Sequence, residues 1–193
     1  MAAPIRINRA PVLTLWAAVV AERLGFDRDE ALSLGRAVAG LNAQAKGRRL
    51  GVFKPHEEKP EKARGRGDGE RFLVEVCGRD VPAAVTPDGV RAVSRGKPVD
   101  PPRVEAYLRG RFGDDLPAVR AALRKLARSL TPPELAGRAY PLYERFRPEV
   151  PEGEAGWGAK GVLDLHRIAD LAAEARQTKA VTRPARARKA RAR

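Results

Sequence analysis

A chain of 193 residues is long enough for one domain of ordinary size, or one domain with tails, and such a body buries a core without disulfides or metal. Its formal net charge of +14 points to anionic partners, nucleic acid or an acidic lipid surface, although 29 Arg against 9 Lys, with abundant Ala, Gly and Pro, also fits the drift of a GC-rich genome. The single cysteine, Cys77, excludes an intramolecular disulfide framework, and no apolar run approaches the length of a membrane-spanning helix, so a reducing, cytoplasmic setting with no membrane partner is expected.

Residues 1–9 read as an extended leader without a packed partner. Arg6 and Arg9 before an apolar run resemble the start of a signal peptide, but the periodicity continues through Glu22, Arg23 and Leu24, as in a folded core helix. Residues 10–51 carry the longest helical pattern. Leu13, Trp16, Val20 and Leu24 share one helix face, and Leu34, Val38 and Leu41 share another beyond a Gly-Phe-Asp break. Gly25 suits the end of the first helix. Asp27 with Glu30 three residues later forms a capping-box pattern for the second, which Gly47 closes. Ala21 is small where the two helices would cross. The pair fits a helix-turn-helix, with Val20, Leu24, Phe26, Ala31 and Leu34 inward, or a plain αα-hairpin that forms core. The acidic first turn of the second helix, Asp-Arg-Asp-Glu, suits the helix dipole and repels a phosphate backbone, which weakens the major-groove reading.

Residues 54–71 mix Pro, Gly and charge with almost no apolar side chain, and read as a mobile loop. Phe72 opens the one β region, which extends to Val99, with turn chemistry at Thr86-Pro87-Asp88-Gly89. It predicts a two- or three-stranded antiparallel sheet or a winglike hairpin, with Pro82 marking an edge strand. Asp100-Pro101-Pro102 starts a helix with Val104, Tyr107, Leu108 and Phe112 inward, ended by Gly113. Asp114 or Asp115 caps the next, with Leu116, Val119, Leu123, Leu126 and Leu130 inward and a basic stripe of Arg120, Arg124, Lys125 and Arg128 outward, the pattern of a solvated face. Thr131-Pro132-Pro133-Glu134 opens a helix with Leu135, Ala139, Leu142 and Phe146 inward, which Pro141 should kink or divide. Tyr140, Tyr143 and Phe146 among arginines read as core anchors or as platforms for bases. A last helix is expected over 162–175, with Leu165, Ile168 and Leu171 or Ala172 inward. The tail over 176–193 has eight basic residues and no acidic one.

The fold expected is mainly α: one compact multi-helix domain over 10–175 with a small antiparallel β element, and a disordered basic C-terminal tail over 176–193. The runs LTLWAAVVAERLGF and GWGAKGVLDL resemble a bacterial protein family to which no activity attaches, so the resemblance implies a folded body and nothing about chemistry. The tail, arginine and lysine spaced by alanine and proline, resembles the basic tails of histone-like chromatin proteins.

Catalytic chemistry finds little support. His166 and Asp170 share a helix face, but two ligands make no zinc site; His56 lies in the charged loop, and Cys77 reads as a small buried thiol. GWGAKG lacks the Ser or Thr and the spacing of a phosphate-binding P-loop, and reads as a hinge plugged by Trp157. No cofactor, metal or catalytic residue is expected. The expected function is non-specific binding of DNA or RNA phosphates through Arg176, Lys179, Arg183, Arg186, Arg188, Lys189, Arg191 and Arg193, with Lys46, Arg48 and Arg49 as a secondary basic surface. The alternatives are a protein-interaction or regulatory module with a protein partner and, behind it, a small enzyme.

Overall fold

The computed structural model describes residues 4–49, 71–153 and 159–182. Helix α1, Arg9–Leu24, is buried at every position from Pro11 to Ala21. The sequence suggested one inward face, but VLTLWAAVVA is apolar or small all round, and a helix of that kind is covered all round. Helices α2, α3, α4 and α5 supply the cover. The buried hydroxyl of α1, Thr14 Oγ1, donates to the Ala10 carbonyl at 2.9 Å, which satisfies it inside its own helix.

Residues 5–7 have a packed partner. Ile5–Ile7 forms strand β1, antiparallel to β6 (Gly161–Leu163), with Ile5 opposite Leu163 and Ile7 buried. The Ile-Arg-Ile alternation is the period of a strand, but its partner lies near the other end of the chain and leaves no local sign. On its far side β6 bridges to Glu149, so closely that a Cβ on Gly161 would lie 2.7 Å from the Glu149 carbonyl oxygen.

Gly25, at φ 111°, ends α1 as its sequence suggested. Helix α2, Arg28–Arg49, opens with the expected capping box: Asp27 Oδ1 accepts from the Glu30 amide at 2.8 Å, and Glu30 Oε2 from the Asp27 amide at 3.1 Å. It passes through Gly47 instead of ending there. The tight crossing on α1 falls at Gly35, not Ala21: a Cβ at Gly35 would stand 2.5 Å from the Thr14 carbonyl oxygen and 2.7 Å from the Ala18 nitrogen.

The β region is a four-stranded antiparallel meander, one strand more than expected: β2 (Arg71–Val76), β3 (Arg79–Thr86), β4 (Gly89–Ser94) and the short β5 (Lys97–Pro98). Cys77-Gly78 and Arg95-Gly96 both have positive φ, the conformation that two-residue hairpin turns demand. Pro82 sits on β3, which pairs on both sides and so is not an edge strand. The β3–β4 ladder nevertheless stops at Ala83, one residue short of the proline that cannot donate to it, and β4 turns to β5 from Val93 onward.

Helix α2 covers the side of β4 turned away from β3. Glu30 Oε1 accepts from the Val90 amide at 2.8 Å, and Ser33 Oγ from the Ala92 amide at 2.7 Å. The first turns of α2 are therefore engaged with the sheet, which makes α1–α2 a core αα-hairpin rather than a helix-turn-helix with a free reading helix.

Helix α3 (Pro101–Phe112) ends at Gly113, and a 3-10 turn leads into α4 (Leu116–Arg128). The inward residues of α4 and α5 (Pro132–Phe146) are those that the spacing named, and all are buried. Pro141 does not divide α5, which runs through it with Gly137 at the position the proline ring would crowd. Trp16 seats against α5: its indole nitrogen donates to the Ala139 carbonyl at 2.8 Å, and Phe146 meets its ring edge-on at 5.4 Å. Helix α6, Leu165–Thr182, starts after β6, with Asp164 Oδ1 accepting from the His166 amide at 2.8 Å. It continues past 175, so Arg176 and Lys179 belong to a helix. No helix among the described residues is long and apolar enough to cross a membrane.

Candidate nucleic-acid interface

The amphipathic spacing of α4 turns Arg120, Arg124 and Arg128 away from the core, one guanidinium per turn and about 6 Å apart along the axis. Tertiary packing adds two more. Arg109 comes from α3 and Arg28 from the start of α2, and the five arginines line a concavity of ≈ 530 Å³ around a single carboxylate, Glu105. Glu105 takes Arg120 at 2.8 Å, Arg28 at 3.4 Å and Arg109 at 3.6 Å. Desolvation pushes its carboxyl up, but the hydrogen bond and charge of Arg120, followed by those of Arg28, outweigh this and hold it below the usual glutamate range. Glu105 is therefore ionised at neutral pH.

Arg124 is held from the other side by Glu22 of α1, with Nη2 donating at 2.9 Å and Nε at 3.2 Å to the same oxygen. A guanidinium carries five N–H donors and a carboxylate only two oxygens. The two glutamates thus fix the direction of the Arg120 and Arg124 forks and leave donors over. Arg28 and Arg109 keep 58% and 71% of their side-chain surface exposed, so their donors face solvent. On the other flank of α3, Tyr107 lies under Arg36 at 4.5 Å and Arg111 at 5.6 Å.

The residues expected to bind phosphate divide three ways. Arg176 is exposed on α6 with Nε donating to the Ala172 carbonyl at 3.1 Å, and Lys179 lies in the same helix. Arg183, Arg186, Arg188, Lys189, Arg191 and Arg193 fall outside the described residues, as does most of the loop over 54–71 with His56. Lys46 and Arg49 are exposed on the last turns of α2, which also carries Arg48.

The aromatic cluster of α5 is no platform for bases. Tyr143 and Phe146 are buried, Tyr143 Oη donates to the Arg9 carbonyl at 3.2 Å, and Tyr140 Oη donates to Asn42 Oδ1 at 3.0 Å. Burial, reinforced by the neighbouring Tyr140 and Glu144 against the pull of Arg9 and Arg147, pushes the Tyr143 hydroxyl up, so it stays neutral.

Cys77 is buried at the β2–β3 turn, with its thiol pushed up to about 12 by desolvation, whereas His166 is exposed at the start of α6. Among the described residues no three His, Cys, Asp or Glu side chains gather as a metal site would need. Of GWGAKG, the stretch 156–158 with Trp157 lies outside the described residues.

The α4 stripe is legible in the sequence as a solvated basic face. The i, i+4, i+8 spacing was the one local signal, and nothing local brings Arg28, Arg109 and Glu105 to it. Comparison of the chain with protein-family models, with curated proteins and with solved structures finds no match.

Proposed function

We propose that this protein is a non-enzymatic binder of polyanions, and that it takes the phosphate backbone of DNA or RNA in the arginine cleft between α3 and α4 together with its basic C-terminal segment. The observation that carries this reading is the convergence of five guanidinium groups on one concave surface around one carboxylate. Arginine forks match phosphate oxygens in pairs, and forks already oriented by Glu105 and Glu22 lose less freedom on binding. Recognition through such a cleft is of backbone and not of sequence, because the first turns of α2, which a helix-turn-helix would present to base edges, are packed on the sheet.

The test is the salt dependence of binding to a labelled duplex, followed by fluorescence anisotropy. Replacing the three most outward arginines, Arg28, Arg109 and Arg128, with glutamine should reduce the log–log slope by about 2–3, at about −0.9 per phosphate contact. Removing residues 183–193, six basic groups, should reduce it by a further 4–5 or so. That truncation leaves α6 whole. A slope unchanged by the cleft substitutions removes the folded face from the proposal, and one unchanged by both removes nucleic acid. The alternative, a protein-interaction module, draws on the sheet, where Leu73 is exposed on one face and Phe72 and Val85 on the other.

A further inference from the structure

Strand β2 is the outermost strand of the meander, and no described strand pairs with its free side. Of the exposed large hydrophobics among the described residues, Leu73 at 65% and Phe72 at 37% lie on β2, Val85 at 55% on β3 and Val162 at 37% on β6. Helix α2 covers the edge of β4 with side-chain acceptors, but no described side chain does the same at the β2 edge. An uncovered edge is a template for another strand.

The register says which residues that edge offers. Val90 and Ala92 of β4 point their amides away from β3, so β4 bonds to β3 through its odd-numbered residues, opposite the even-numbered residues of β3. The odd-numbered residues of β3 then bond to β2 through Phe72, Val74 and Val76. The two-residue turn at Cys77-Gly78 demands the same alternation. Arg71, Leu73 and Glu75 are left with backbone N–H and C=O groups turned to the free edge and with exposed side chains on one face.

We propose that this edge pairs with the β2 edge of a second copy of the chain, antiparallel, about a two-fold axis through Leu73. In that register Leu73 meets its own copy as a hydrogen-bonded pair, Arg71 stands opposite Glu75 of the partner subunit, and Glu75 opposite Arg71 of the partner subunit. An isologous contact requires such reciprocity, in which one residue meets a second and the second meets the first. Other two-fold registers are equally reciprocal but forfeit the pairing of opposite charges. An axis at Phe72 sets Arg71 against leucine, one at Val74 sets Glu75 against leucine, and axes at Arg71 or Glu75 set like charges together. Within one copy Arg71 and Glu75 are about 13 Å apart along the strand and have no ion pair with each other. Their complementarity therefore has effect between copies, and the occupant it selects is this same strand.

The experiment is sedimentation of the full-length protein, freed of nucleic acid, over a range of concentration. Wild type should form a dimer. R71E sets glutamate against glutamate twice across the axis, and E75R sets arginine against arginine twice, so each alone should weaken the dimer about tenfold or more. Mixing the two single variants should restore association as a heterodimer, because each then presents the charges the other lacks, and the double variant R71E/E75R should dimerise like wild type. Both positions are exposed, so unchanged melting temperatures serve as the control on folding. A wild type that stays monomeric up to about 1 mM overturns the proposal, and leaves the edge to a strand of another protein. So does a dimer indifferent to both reversals, or one that the mixture fails to restore. None of these outcomes depends on whether the arginine cleft binds phosphate.

Discussion

At Trp16 one side chain fills the space between α1 and α5 with no exposed surface and donates its N–H to a carbonyl of α5. Trp16→Ala empties that site and should cost about 3–5 kcal/mol in equilibrium denaturation. Trp16→Phe keeps most of the volume but loses the hydrogen bond, and should cost about 1 kcal/mol more than its volume change alone predicts. Glu105 makes a prediction in pH. Its carboxyl is held below the usual range in the folded state, so the stability it contributes is present above its unfolded pKa and is lost as pH falls through the lower folded value. The difference in stability between wild type and Glu105→Gln should therefore be largest at neutral pH and shrink below about pH 4, measured by denaturation at a series of pH values. A difference that grows on acidification would mean that Glu105 is not ionised in its arginine cage.

At the scale of elements, the α1–α2 hairpin is set by a glycine. Alanine at position 35 would favour the helix by about 1 kcal/mol on intrinsic propensity. The added methyl would meet backbone atoms of Thr14 and Ala18, which cannot swing aside, so strain of about 1–3 kcal/mol or more wins. Gly35→Ala should lower the melting temperature, whereas Gly40→Ala, on the same helix with open space at its Cβ, should raise it or leave it unchanged. The caps and turns of these elements were legible in advance. Asp27 with Glu30, Thr131 with Glu134, Gly25 and Gly113 act within a few residues, and their hydrogen bonds or backbone angles require nothing from the rest of the chain. Pro82 was legible only in part. Its missing N–H ends the β3–β4 ladder as proline should, but whether the strand lies at an edge depends on how many neighbours the chain brings to it.

Across the whole molecule, the sequence by itself determined the mainly helical class, the inward residues of α4, α5 and α6, the inward position of Trp16 and the presence of a small antiparallel β element between the helices. Each follows from a period of 3.6 or 2 residues, a cap or a turn, and these act over one or two turns of chain. Only the tertiary structure decided that α1 is covered on every side, since periodicity marks one apolar face and cannot say how many neighbours close on it. It likewise drew β1 onto β6 from opposite ends of the chain, and laid α2 along β4 so that Glu30 and Ser33 accept from its outward amides. The arginine cleft belongs to the same class. Arg28, Glu105 and Arg120 are far apart in sequence and within a few ångströms in space, and an electrostatic site depends on distance in space, which no local pattern of residues encodes.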